Sequence, residues 1–77
     1  SKNKFYVDAK IELEEFIKFF QLEIDPLAVD AETLGGFFIA EFGMLPKNGE
    51  KLKVQDLTIK VTDTDNRRIK SFEIRKA

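Results

Sequence analysis

The 77-residue chain contains no cysteine and no histidine. Without cysteine there is neither a disulfide nor a thiolate nucleophile, and without histidine the commonest zinc ligand and the commonest general base are both missing. The usual staples of a small scaffold are therefore unavailable, and stability must come from apolar packing. No window approaches the roughly 20 apolar residues needed to cross a bilayer as a helix, and the N-terminus lacks the basic-then-apolar pattern of a secretory signal. Neither sign of charge dominates: the formal net charge is −1 and the sequence pI about 5.4, a balance that does not suggest nucleic acid as a partner. With only four glycines and two prolines, each marks a specific backbone event.

What the chain does have is phenylalanine, eight of them. A single domain of this length, residues 1–77, buries only about 60 to 65% of its extended surface. The core is thin, so part of the aromatic supply is free to cover a neighbour. A start at Ser1 rather than methionine fits a module excised from a longer protein. Charge is uneven along the chain: residues 1–46 hold four lysines against nine acids, and residues 47–77 hold nine basic residues against five acids. Such blocks describe either two complementary solvated faces or an anion-binding sheet.

Phe5 to Asp8 reads as a short strand with Phe5 and Val7 on one side and Tyr6 on the other. From about Glu12 to Gln21 the period becomes helical. Leu13, Phe16, Ile17 and Phe20 form the apolar face, the early glutamates complement the helix dipole, and Phe19 sits at the edge of the stripe. Pro26 disfavours helix at Asp25, so residues 22–32 form a tethered loop with at most one short turn. Thr33, or else Asp30, caps a second helix running to about Phe42, with Gly43 suited to the left-handed position after it and Pro46 preventing its resumption. Leu34, Phe37, Phe38, Ile39 and Phe42 leave Glu41 as its one strongly polar position. Such a helix lies between the sheet and the first helix, or else one flank is covered by another part of the parent protein.

After the Pro46–Gly49 turn the period drops to two. Leu52 and Val54 alternate with lysines, Gln55-Asp56 makes a tight turn, and Leu57, Ile59 and Val61 alternate with Thr58, Lys60 and Thr62. A second turn on Asp65-Asn66 leads into a strand from Arg68 to Arg75, where Ile69 lies on one parity and Phe72 and Ile74 on the other. A bulge near Lys70 or Ser71 reconciles them. The predicted fold is α+β: a small, mostly antiparallel sheet, made of the N-terminal strand and a C-terminal three-stranded meander, covered by two helices.

Four segments together, Phe5-Tyr6-Val7-Asp8 before an acidic helix, Thr33-Leu34-Gly35-Gly36, Gly43-x-x-Pro46-x-x-Gly49 and Arg67-Arg68-Ile69, resemble the transporter-associated (CorC/HlyC) domain. The resemblance covers essentially the whole chain in the right order. Two positions depart from that pattern: Ala9 stands where a glycine is usual, and Ile11 where a Ser or Thr often caps the first helix. The resemblance implies a non-catalytic regulatory or interaction module, C-terminal in bacterial CBS-domain, hemolysin-like proteins associated with magnesium and cobalt efflux. It places the domain on the cytoplasmic side of the inner membrane, partnered by the CBS pair and transmembrane region of its own protein or by a second copy. The fold is similar to a subdomain of flavin oxidases, which raises FAD or an adenine nucleotide as the alternative ligand.

The residues themselves offer little chemistry. The carboxylates fall mostly on a solvated helix face or in loops, no catalytic residue is assigned, and no Asp-rich loop has the spacing of a hard-metal site. Glu41 is expected to face solvent, and Asp63 and Asp65 to serve a turn. Thr33, Gly35 and Gly36 would hold the phosphate of a nucleotide at the helix start, or the glycines let that helix pack closely. Lys51, Lys53, Lys60, Arg67, Arg68 and Lys70 form a basic surface with Phe72 as its only aromatic, which suits anionic headgroups or an acidic protein surface better than RNA. Candidate contact residues are Phe19, Phe37, Phe38 and Met44.

Overall fold

A computed structural model describes residues 3–77. The elements follow in the order β1 (Lys4–Asp8), α1 (Leu13–Phe20), a single 3-10 turn (Pro26–Ala28), α2 (Leu34–Phe42), β2 (Lys51–Val54), β3 (Leu57–Thr64) and β4 (Ile69–Lys76). The four strands make one antiparallel sheet in the order β1-β4-β3-β2. The last three are joined by consecutive hairpins, while β1 pairs with β4 at the far edge and the chain returns to β2 through the helical layer. The predicted α+β architecture is the one observed.

Period-two alternation assigns the two faces of the sheet. Register places Phe5 beside Ile74, Val7 beside Phe72, Ile59 beside Ile74 and Val61 beside Phe72, with Leu52 and Val54 against Ile59 and Leu57. These apolar residues all lie on one face, and both helices cover it. The Phe20 ring meets Phe5 edge-on at 5.1 Å, so α1 sits over β1, and Phe38 lies 5.3 Å from Phe72, so α2 sits over β4. The helices thus lie side by side, and α2 is not sandwiched between sheet and α1. Leu13, Phe16, Ile17 and Phe20 are buried, as their spacing predicts. At roughly 1.5–3 kcal/mol for each large apolar side chain removed from water, this single apolar layer carries the stability of the domain.

Helix α2 keeps an outer flank despite its composition. Gly36, Ala40 and Glu41 face outwards, while Leu34, Gly35, Phe37 and Phe38 face the core. Small residues count as apolar yet expose little greasy surface, so a helix with one charge still rests on a surface. Its ends are those the sequence predicts. The Thr33 Oγ1 accepts from the Gly36 N–H at 3.1 Å, and Gly43 adopts φ +95° with its N–H bonded to the Ile39 carbonyl.

The slip of alternation in β4 has two parts. Between Val61 and Asp63, β3 carries an extra residue, Thr62, and one step later β4 carries an extra residue, Lys70. The second lies where the sequence places a bulge. The first is silent in the alternation, because Thr62 and Asp63 are both polar and exposed. Two offset bulges restore register while twisting the end of the sheet, and the freed Lys70 carbonyl accepts the Ala9 N–H at 3.0 Å.

Candidate functional site

Both helices start at one junction. The chain leaves β1 through an Asx turn in which Asp8 Oδ1 accepts from the Lys10 N–H at 2.7 Å. Glu12 and Thr33 then form an isolated antiparallel bridge, in which the Leu13 N–H donates to the Glu32 carbonyl at 2.9 Å and the Leu34 N–H to the Ile11 carbonyl at 3.0 Å. The first N–H of each helix is therefore taken by the backbone leading into the other. This explains how α1 begins at Glu12 with no side-chain cap, and why Ile11 needs no hydroxyl.

The same junction settles what the glycine pair does. Gly35 donates its N–H to the Ala9 carbonyl at 2.9 Å, and a Cβ on Gly35 would lie 3.2 Å from both the Ala9 Cβ and the Ala9 oxygen. Ala9 and Gly35 bring the β1 exit and α2 into backbone contact. The Gly36 N–H is taken by Thr33 Oγ1, and the Phe37 N–H by the Thr33 carbonyl at 3.0 Å. All four opening N–H groups of α2 are thus partnered within the chain. A phosphate at Thr33, Gly35 and Gly36 would find no free backbone N–H there, only the Thr33 hydroxyl, which weighs against the nucleotide-binding reading of these residues.

The helix-free face of the sheet carries the charge. Tyr6, Glu73 and Lys60 occupy neighbouring positions across β1, β4 and β3, with Lys4 beside Arg75 and Lys51 beside Lys60. Glu73 is the one buried charged residue of the described chain, at 6% exposure. It accepts from Arg75 Nε at 3.3 Å and from the Tyr6 hydroxyl at 3.4 Å, and pairs with Lys4 Nζ at 3.6 Å. Burial pushes its carboxyl upward, but the hydrogen bond from Arg75 and the charges of Arg75, Lys4 and Lys60 outweigh that and hold it below the ordinary value. Lys51, Thr58, Lys60, Glu73 and Arg75 line a shallow depression of about 260 Å³. Its floor is a carboxylate, so an incoming anion meets repulsion at the centre of the basic rim. Sequence reasoning missed Glu73; its signal was the even spacing between Phe72 and Ile74, which puts it among lysines on the opposite face.

Arg67 and Arg68 serve the β3–β4 turn through their backbones. Asp65 Oδ1 accepts from their N–H groups at 2.8 and 2.9 Å, and those bonds hold its carboxyl below the usual range. Asp65 is the turn residue the sequence predicts, and Glu41 is exposed, as expected. Among the described residues no group of three or more His, Cys, Asp or Glu converges as a metal site.

The candidate contact residues separate into two pairs. Phe37 and Phe38 are 4% and 0% exposed, so they pack against the sheet and are core residues instead of contact residues. An apolar helix offers its largest side chains to its own core first. Phe19 and Met44 are each 66% exposed, and Tyr6 and Leu27 are the other large apolar or aromatic residues turned to solvent. Phe19 stacks edge-on against Phe5 at 5.8 Å and Phe20 at 4.9 Å. Together with Val7, Ile11 and Phe16 these rings line an apolar cleft of about 270 Å³ beside the free edge of β1. Among the described residues no helix is long and apolar enough to cross a membrane.

Known proteins share this arrangement. A magnesium and cobalt efflux protein CorC from Pasteurella multocida is 34% identical over 74 residues, which is 96% of this chain but 24% of that protein. The chain therefore spans about a quarter of the length of the curated relatives it matches. The crystal structure of a CorC-associated region from Neisseria meningitidis superimposes with a TM-score of 0.91 at 32% identity, covering 100% of this chain and 93% of that one. A CorC_HlyC domain from a Xylella fastidiosa hemolysin, solved in complex with Mg²⁺ and Mn²⁺, gives a TM-score of 0.84 at 26% identity over 96% of this chain and 87% of that one. The CorC_HlyC family, described as a transporter associated domain, matches residues 1–77. The chain belongs to that family.

Proposed function

We propose that this chain is a non-catalytic regulatory and contact module of a longer protein that moves divalent ions such as magnesium and cobalt. The observation that carries this reading is the coverage: the family match spans residues 1–77, while the CorC efflux protein it resembles is about four times longer. The remaining length supplies the ion path, and this domain supplies surface. Two features support such a role. The opening donors of α2 and the buried carboxylate are satisfied internally, and of the exposed apolar side chains Phe19 and Met44 lie at the ends of the two helices. Contact with the CBS pair of the same protein, on the cytoplasmic side of the bacterial inner membrane, suits a domain of this kind.

The test is deletion of the domain from the longer protein, with cobalt and magnesium efflux measured in cells. The module reading expects the shortened protein to reach the membrane and to export ions with a changed rate or ion dependence. Unchanged efflux at all ion concentrations would remove the regulatory role.

A further inference from the structure

We propose that the free edge of β1 is a self-complementary seam that joins two copies of this domain across a two-fold axis at Tyr6. The idea rests on the contact-module reading and names the surface and the partner.

The backbone sets the geometry. Lys76 donates to the Asn3 carbonyl, and Ala9 donates to the Lys70 carbonyl, so odd-numbered residues of β1 bond towards β4. In an antiparallel strand a residue's N–H and C=O point the same way, so those of Lys4 and Tyr6 point to the open edge, as does the Asp8 N–H, while the Asp8 carbonyl already accepts from the Ile11 N–H at 3.1 Å. A second β1 pairing antiparallel about Tyr6 sets Tyr6 against its own copy, Lys4 against Asp8 and Asp8 against Lys4. Opposite charges meet at both ends. The same register brings Phe5 beside the second copy's Val7 on the core face, where side chains of non-hydrogen-bonded pairs come closest. Phe5 and Val7 are only half-buried within one copy, and the cleft they share with Phe19 opens at this edge. Pairing joins the two clefts and covers the exposed Phe19 rings, extending the sheet from four strands to eight.

The other edge lacks this property. In β2 the Val61 N–H donates to the Glu50 carbonyl, so Lys51 and Lys53 are the residues facing outwards, and pairing about Leu52 would set lysine against lysine. Like charges guard that edge, whereas β1 carries one charge of each sign.

A seam of five residues is about 17 Å long, too short to bury the roughly 1,200 Å² of a stable free-standing complex. Dissociation constants on the order of 0.1–1 mM follow for the separate domain, and a longer protein that brings two copies together would raise the effective concentration to that range.

Sedimentation equilibrium of the chain from 20 µM to 1 mM, with amide spectra on the same samples, tests the assignment. The expected result is a mass rising towards twice the monomer, with shifts concentrated at Lys4 to Asp8 and Phe19. Tyr6→Pro, which removes an outward-facing N–H, is expected to leave a folded monomer. Lys4→Glu and Asp8→Lys should each weaken association about fivefold or more, and an equimolar mixture of the two should recover it. Because Lys4→Glu and Tyr6→Pro each lose a contact with Glu73, and Asp8→Lys loses the turn bond to Lys10, the fold of all three is checked first, and the mass and amide shifts of the unaltered chain stand as the test if they fail. A monomer at 1 mM, or a dimer that persists in Tyr6→Pro, overturns the seam. A Tyr6 amide protected only in the longer protein of a monomeric chain would assign the edge to another segment of the parent, which also overturns it. None of these results bears on efflux by the deletion variant, so the seam and the module reading fail separately.

Discussion

Gly35 and Gly36 are neighbours in one helix, yet alanine is expected to act on them with opposite sign. At a helix position, glycine to alanine gains up to about 1 kcal/mol from propensity and the reduced entropy of the unfolded chain. At Gly36 the new Cβ would meet Thr33 Oγ1 at 3.4 Å and the Ala31 Cβ at 3.6 Å, ordinary contacts on an exposed flank. The gain survives, and Gly36→Ala is expected to stabilise by about 0.5 kcal/mol. At Gly35 the Cβ would lie 3.2 Å from both the Cβ and the oxygen of Ala9. Ala9 cannot easily give way, since it is 3% exposed and fixed by its bonds to Lys70 and Gly35 itself. Overpacking of that kind costs about 1–3 kcal/mol, which exceeds the propensity gain and leaves Gly35→Ala destabilised by roughly 1–2 kcal/mol. For a domain of this length that is a fall of about 4–15 °C in Tm. Urea unfolding of both variants measures the pair. Ala9→Gly in the Gly35→Ala background removes one of the two close contacts and should recover part of the loss, a coupling that a double-mutant cycle reads directly. Gly35→Ala as stable as Gly36→Ala, or no coupling to position 9, would refute the backbone contact as the reason for this glycine.

Four other perturbations probe the remaining supports. Thr33→Ala removes the cap on Gly36 and should cost about 1 kcal/mol in urea unfolding. Phe72→Ala, at 0% exposure beneath Phe38, should cost about 3–5 kcal/mol and leave little folded protein at 37 °C by circular dichroism. Gln21 closes α1 at φ +54°, so Gln21→Gly should raise stability by about 0.5–1 kcal/mol in thermal melts. The carboxyls of Glu73 and Asp65 are both depressed on folding, so their stabilisation is complete above their unfolded values, near 4.5 and 3.8, and is lost as pH falls through the lower folded values. Acid unfolding of Glu73→Gln should therefore show a shallower fall in stability below about pH 4.5 than the parent sequence.

Most of the fold is legible in the sequence because its signals are local. The apolar stripe of α1, the Thr33 and Gly43 ends of α2 and the Gln55-Asp56 hairpin are each decided within a few residues. What escapes is set by pairing at a distance. Nothing near Glu12 announces that its helix start is satisfied by the carbonyl of Glu32, since backbone donors and acceptors leave no mark in composition. Thr62 is an extra residue in β3 that alternation cannot reveal among polar neighbours. The composition of α2 suggested burial on most sides because Gly36 and Ala40 weigh as apolar, although they make a surface that water tolerates. Of the candidate contact residues, Phe19 stands out by lying at the edge of the α1 stripe, and Met44 by falling past the last turn of α2. Phe37 and Phe38 carry no such positional signal, and only the sheet beneath them shows that they are core. Glu73 was readable in parity, but its partners Tyr6, Lys4 and Arg75 come together only through the β1–β4 pairing.

The claim that this domain works through contact is tested most directly by amide hydrogen exchange, comparing the chain alone with the same residues inside the longer protein. Slower exchange in the longer protein around Phe19 and from Phe42 to Leu45, with the core strands β3 and β4 unchanged, is the predicted result. Identical exchange throughout would mean that these exposed rings touch nothing, and would contradict the account.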